Sequence, residues 1–175
     1  MKKILSIVIV SIFILVSSIP LYATEKNIIN DKSTKSTSQF LVSITRPEGD
    51  ESTFKKSYVI CGNSRKEDIL VKLLTYNKNT DSYEEYENTD GDSCWSIGSS
   101  GVFMKEIQLP KEGANLIRIV AYNKYADTLK INENLQVSNF TITLLNKSVK
   151  DAIKNGFFRI TDILNEYYGY VKSTV

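Results

Sequence analysis

Cys61 and Cys94 are the only cysteines in the chain, and there is no histidine at all. Without histidine there can be no Ser/His or Cys/His nucleophile pair, and the commonest general base and metal ligand are missing. The chemistry left to the chain rests on thiols, carboxylates, hydroxyls and aromatic rings. A Cys61–Cys94 disulfide would close a loop of about 34 residues, worth about 3–4 kcal/mol if stabilisation follows chain entropy. Spacing alone leaves open whether the two are bridged or remain separate thiols. Gly98-Ser99-Ser100-Gly101 is one residue short of a G-x-S-x-G nucleophile elbow and has no base to serve it, so it reads as a turn.

Two further clusters could bind rather than react. Asp81, Glu84, Glu85, Glu87, Asp90 and Asp92 fall within twelve residues. Asn88-Thr89-Asp90-Gly91-Asp92 alternates oxygen ligands around a glycine as a calcium loop does, but the downstream bidentate Glu is missing. The simpler reading is a solvated hairpin tip. Tyr76, Tyr83, Tyr86 and Trp95 could form an aromatic platform for sugar rings, although tyrosines are also ordinary strand residues. No catalytic, cofactor or metal set emerges, and the expectation is a protein that is not an enzyme.

The N-terminus sets the compartment. Lys2 and Lys3 precede an apolar run from Ile4 to Ile19, which Pro20 breaks before Ala23. Residues 1–23 therefore read as a cleavable signal peptide, with an uncleaved anchor as the alternative because the run is about long enough to span hydrocarbon. Both readings place the rest outside the cytoplasm, secreted or at the cell surface. The whole chain holds 22 basic and 20 acidic residues. Removing the segment takes away two lysines and leaves 20 against 20. A nucleic-acid partner would call for a basic excess, so none is expected. The membrane enters only through the N-terminal segment, if that segment stays.

Residues 24–38 are rich in Lys, Ser and Thr and read as a flexible polar spacer. From 39 to 145 short runs alternate with period two between turn residues, which predicts about seven strands of an all-β sandwich. Phe103, Ile107 and Leu109 share one face, as do Ile117, Ile119 and Ala121, and again Phe140, Ile142 and Leu144. Two runs are apolar on both faces. Leu70, Leu74 and Tyr76 oppose Ile69, Val71 and Leu73, while Leu116 and Val120 oppose Ile117 and Ile119. A sandwich strand needs one inward face, so the second must be covered by something else.

Beyond Leu145 the period changes. Val149, Ile153, Phe157, Ile160, Leu164, Tyr167 and Val171 are spaced for one face of a helix across residues 146–175. Ser148 and Asp151 suggest a capping box at its start, and Gly156 weakens it by about 1 kcal/mol relative to Ala. The favoured expectation is that this helix packs on the sandwich and covers the second apolar face. The alternative is that it pairs with a helix of another chain.

Ile60-Cys61-Gly62, Ser100-Gly101-Val102-Phe103, Ile107-Gln108-Leu109, Glu112 to Ile117 and Ile119-Val120-Ala121 together resemble the bacterial immunoglobulin-like domains similar to those attached to glucodextranases and many exported proteins. The resemblance covers about 65 residues, Tyr58 to Tyr122. It departs from the family in the insertion Asn77–Ser93 and in Trp95 directly following Cys94. Gly101 and Gly113 stand where turns call for positive φ, and Asn115 can hold a turn through its side chain. The resemblance implies an immunoglobulin-like β-sandwich with an exported habit, and no single activity. The reading is a non-catalytic exported interaction or structural module for a protein or envelope polymer, with a carbohydrate-binding module as the alternative.

Overall fold

The computed structural model describes residues 28–173, with side chains through Thr161. Residues 1–23, read above as a signal peptide, and the first four residues of the segment read as a spacer lie outside the described residues. Among the described residues, nine strands and one long helix follow in order. They are β1 (Ser43–Arg46), β2 (Glu51–Thr53), β3 (Ser57–Asn63), β4 (Ile69–Asn77), β5 (Ser82–Glu85), β6 (Cys94–Ser96), β7 (Val102–Gln108), β8 (Gly113–Asn123), β9 (Leu135–Leu144) and α1 (Lys147–Ser173). A small sheet has the order β1-β3-β7, and a large one β2-β9-β8-β4-β5, with β6 pairing the other end of the same β4 edge. Neighbours pair antiparallel except β2, which runs parallel to β9.

The chain is thus a two-layer β-sandwich. Ile44, Tyr58, Ile60, Phe103 and Ile107 of the small sheet meet Val71, Leu73, Ile117, Ile119 and Ile142 of the large one in a single apolar core. Alternation along each strand produces this, because successive side chains point to opposite faces. Gly113 takes a φ of +84°, and the buried Asn115 closes the β7–β8 turn by donating to the Lys111, Gly113 and Ile142 carbonyls. Gly101 also has positive φ, and a Cβ there would fall 2.6 Å from the Ser64 carbonyl oxygen. Gly62 admits the Phe103 ring, which lies 2.6 Å from where a Cβ would stand.

The insertion Asn77–Ser93 supplies β5, which lengthens the large sheet, and the segment leading into β6. Residues 86–92 lie along the free edge of β7. The Thr89 N–H donates to the Glu106 carbonyl at 2.9 Å, and the Tyr86 hydroxyl donates to the Gln108 carbonyl.

The second apolar face of the large sheet exists as expected, but its cover is not the helix. Leu74, Tyr83, Val120, Leu135 and Val137 form a separate buried cluster with Ile29. Residues 28–37, read from composition as flexible spacer, form this lid. After one helical turn the segment runs beside β9, where the Thr37 N–H donates to the Val137 carbonyl and the Asn139 N–H to the Ser36 hydroxyl. The composition is polar because the segment is held largely by hydrogen bonds, with Ile28 and Ile29 supplying the apolar contact.

Candidate functional site

The two cysteines do not meet. Both are free and half-buried. Ile60 and Gly62 face the core from β3, so Cys61 between them faces outward from the small sheet. Trp95 faces the core from β6, so its neighbour Cys94 faces outward from the large sheet, 3.8 Å from the Tyr122 hydroxyl. The thiols stand on opposite outer surfaces with two sheets between them, a separation no disulfide spans. Burial, with Cys94 beside it, pushes the Tyr122 pKa up to about 12.

The aromatic platform is likewise dispersed. Trp95 is in the core, 5.6 Å from the Phe103 ring centroid, and Tyr86 packs against that same core. Tyr83 is buried on the far side of the large sheet, with the partly buried Tyr76 edge-on to it at 5.7 Å. The four rings offer no common surface for a sugar.

The acidic loop is a closed tip. The Asn88 side-chain oxygen accepts from the Asp90 and Asp92 N–H groups, and Gly91 turns at a φ of +88°. The Lys105 ammonium, 3.1 Å from both Asp90 and Asp92, stands where a cation would. Those carboxylates raise its pKa. Ser99 and Ser100 sit in the turn closed by the Gly101 N–H donating to the Gly98 carbonyl.

What the sequence reading missed is a pair of buried polar side chains. Arg118 of β8 is fully buried on the outer face. Its Nη1 donates to the Ile29 and Asp31 carbonyls, Nη2 to Thr34 and Nε to Asn139 Oδ1, all within 2.7–2.9 Å. The guanidinium lies 3.7 Å from the Tyr83 ring centroid. Burial lowers its pKa, opposed by Tyr83 and Asp31. Gln136 of β9, on the inner face, accepts the N–H groups of Phe40, Leu41 and Val42 on one oxygen and donates to the Val42 carbonyl. It holds the chain where it crosses from the large sheet to β1. A lone Arg inside Leu116–Ala121 and a lone Gln inside Leu135–Val137 were the signals, since buried polar groups require partners.

The helix is where the surface is unfinished. Its N-cap is Asn146, whose side-chain oxygen accepts the Val149 N–H at 3.0 Å, two residues earlier than the Ser148–Asp151 box. Its base meets the sandwich across a shallow depression lined by Phe54, Leu145, Lys147 and Lys150. Beyond it Val149, Ile153, Phe157 and Ile160 are exposed, Phe157 by 68% and its neighbour Phe158 by 58%. The expectation that this face covers the sandwich is therefore corrected, since residues 28–37 occupy the sheet surface over Leu74, Val120, Leu135 and Val137 and the helix face from Val149 to Ile160 stays open. Leu164, Tyr167 and Val171 lie on side chains outside the described residues. Among the described residues no helix is long and apolar enough to cross a membrane.

A second depression, of about 660 Å³, opens between Tyr76, Asn77, Glu84, Lys111 and Leu116. Glu84 is already held there by Asn77 and Thr80, which lower its pKa. Compared with family models, curated proteins and solved structures, the chain matches none.

Proposed function

We propose that this chain is an exported, non-catalytic module of immunoglobulin-like architecture that engages a protein partner through the apolar face of α1. The observation that carries the reading is the uncovered row Val149, Ile153, Phe157 and Ile160 beside a sandwich whose other apolar face is already covered over Leu74, Val120, Leu135 and Val137. A helix in water gains most of its stability from packing an amphipathic face. Leaving that face open favours a contact outside the domain. The architecture is supported by strand order. In immunoglobulin-like terms β1, β3 and β7 correspond to A, B and E, and β5, β4, β8 and β9 to C′, C, F and G. The non-catalytic reading is supported by the lack of histidine and by the way the candidate carboxylates are already paired with Lys105, Asn77 and Thr80.

The test is cross-linking with an amine-reactive reagent on cells that export the full chain, wild type beside Ile153→Asp/Phe157→Asp. A discrete protein adduct that disappears in the variant, with thermal unfolding unchanged, supports the reading. An adduct that persists in the variant moves the contact off α1. Retention on a glycan array by both proteins would favour the carbohydrate alternative.

A further inference from the structure

Resting on that reading, we infer that the partner of α1 is a second copy of the chain, and that the two helices pair antiparallel. Positions Ile153, Phe157, Ile160, Leu164, Tyr167 and Val171 alternate in steps of four and three over almost the whole helix. They are the d and a sites of successive heptads, the pattern by which one helix packs along another. A 27-residue helix is about 40 Å long, and a seam of three heptads runs nearly its full length. Gly156 stands next to the Phe157 knob. Among the described residues a Cβ there would meet nothing within 4 Å, so no contact among them calls for the glycine, which costs the lone helix about 1 kcal/mol. A helix backbone approaching from a second chain would use that gap.

Charge selects the orientation. Residues 147–160 carry Lys147, Lys150, Lys154 and Arg159 against Asp151, a net of +3. Residues 161–173 carry Asp162 and Glu166 against Lys172, a net of −1. Parallel pairing would set the basic halves side by side, with Lys150 at an a site facing its own copy. Antiparallel pairing sets each basic half against an acidic one. The distances across a helix pair, about 8–10 Å, are comparable to the Debye length of about 8 Å at physiological salt, so the difference is only partly screened and grows as salt is lowered. An antiparallel pair also carries the two sandwiches to opposite ends of a rod, where the folded domains do not collide.

Sedimentation equilibrium and light scattering on residues 24–175 test this, with Phe157→Asp and Ile160→Asp alongside. The expected result is twice the chain mass for wild type and the single mass for both variants, with sandwich unfolding unaltered. A monomeric wild type at every concentration overturns the inference, and so does a mass of three or four chains. If that monomer still forms the cellular adduct of the preceding test, the partner is a different protein and only the self-pairing fails. If it instead floats with anionic lipid vesicles in a Phe157-dependent way, the face belongs to a membrane surface and both readings fail.

Orientation is read in a Cys61→Ser/Cys94→Ser background. Lys147→Cys and Lys172→Cys proteins should form a disulfide with each other when mixed. Self-linked Lys147→Cys dimers would overturn the antiparallel arrangement.

Discussion

The two ends of the chain carry opposite chemistry and behave opposite to it. Residues 28–37 are polar and lie docked along β9, while α1 is amphipathic and stands with its apolar face open. The difference lies in the receiving surface. Beneath the N-terminal segment, Arg118 and Asn139 present donors at fixed positions, and they grip its backbone carbonyl groups. Under α1 the sandwich offers shallow depressions at the helix base, with Phe54, Pro110, Leu144 and Leu145 along them. An appendage docks where the domain has prepared partners for it, and its own hydrophobicity is a poor guide.

The largest expected effect tests the stronger of the two contacts. Arg118→Met removes four charge-assisted hydrogen bonds and leaves the Ile29, Asp31 and Thr34 carbonyls without them. Losing the buried charge returns part of its desolvation cost, so a net destabilisation of about 3 kcal/mol is expected in urea unfolding. Amide exchange of residues 28–37 should rise at the same time. An unchanged exchange pattern would mean that the segment is held by its apolar contacts alone, and the contrast with α1 would lose its basis.

Gln136→Leu comes next. Three N–H groups, those of Phe40, Leu41 and Val42, lose a common acceptor inside the protein. The expected cost is about 2 kcal/mol by chemical denaturation. Lys105→Met should cost under about 1 kcal/mol, because Asp90 and Asp92 are well exposed. The pKa of Lys105 is raised in the folded state. Its small contribution is therefore complete below the ordinary lysine pKa and fades as pH climbs through the higher folded value. Thermal melts of wild type and Lys105→Met should converge at strongly alkaline pH. Phe157→Asp should be smallest, changing sandwich stability by less than about 0.5 kcal/mol, because Phe157 is exposed. A larger loss would show that α1 is part of the sandwich after all.

The sandwich itself could be read from the residues. Period-two alternation put Phe103, Ile107, Ile117, Ile119, Phe140 and Ile142 inward, and all are buried there. It also identified strands apolar on both faces. The positions of the thiols were within reach by the same rule, since Cys61 follows inward Ile60 and Cys94 precedes inward Trp95. The rings Tyr83 and Trp95 fall on opposite sides of one sheet for the same reason. What alternation could not supply was the lid. Arg118 and Gln136 bind the backbone of residues 29–42, and a segment recognised through its backbone carries little trace of that in its side chains. The helix face was legible because it repeats locally, whereas the absence of a seat for it is a property of the distant strands.

The seat for the N-terminal segment has a consequence for the order in which the molecule can be completed. Arg118 lies 89 positions after the Ile29 carbonyl it holds, and Val137 lies 100 after Thr37. A ribosome adding 5–20 residues per second makes the lid roughly 5–20 s before the surface it closes. During that interval Ile28 and Ile29 lack the Val120, Leu135 and Val137 part of their cluster, and of the strands that form it only β4 and β5 have emerged. The last two strands act as a latch: until β8 and β9 are in place, the beginning of the chain is still available to whatever escorts it.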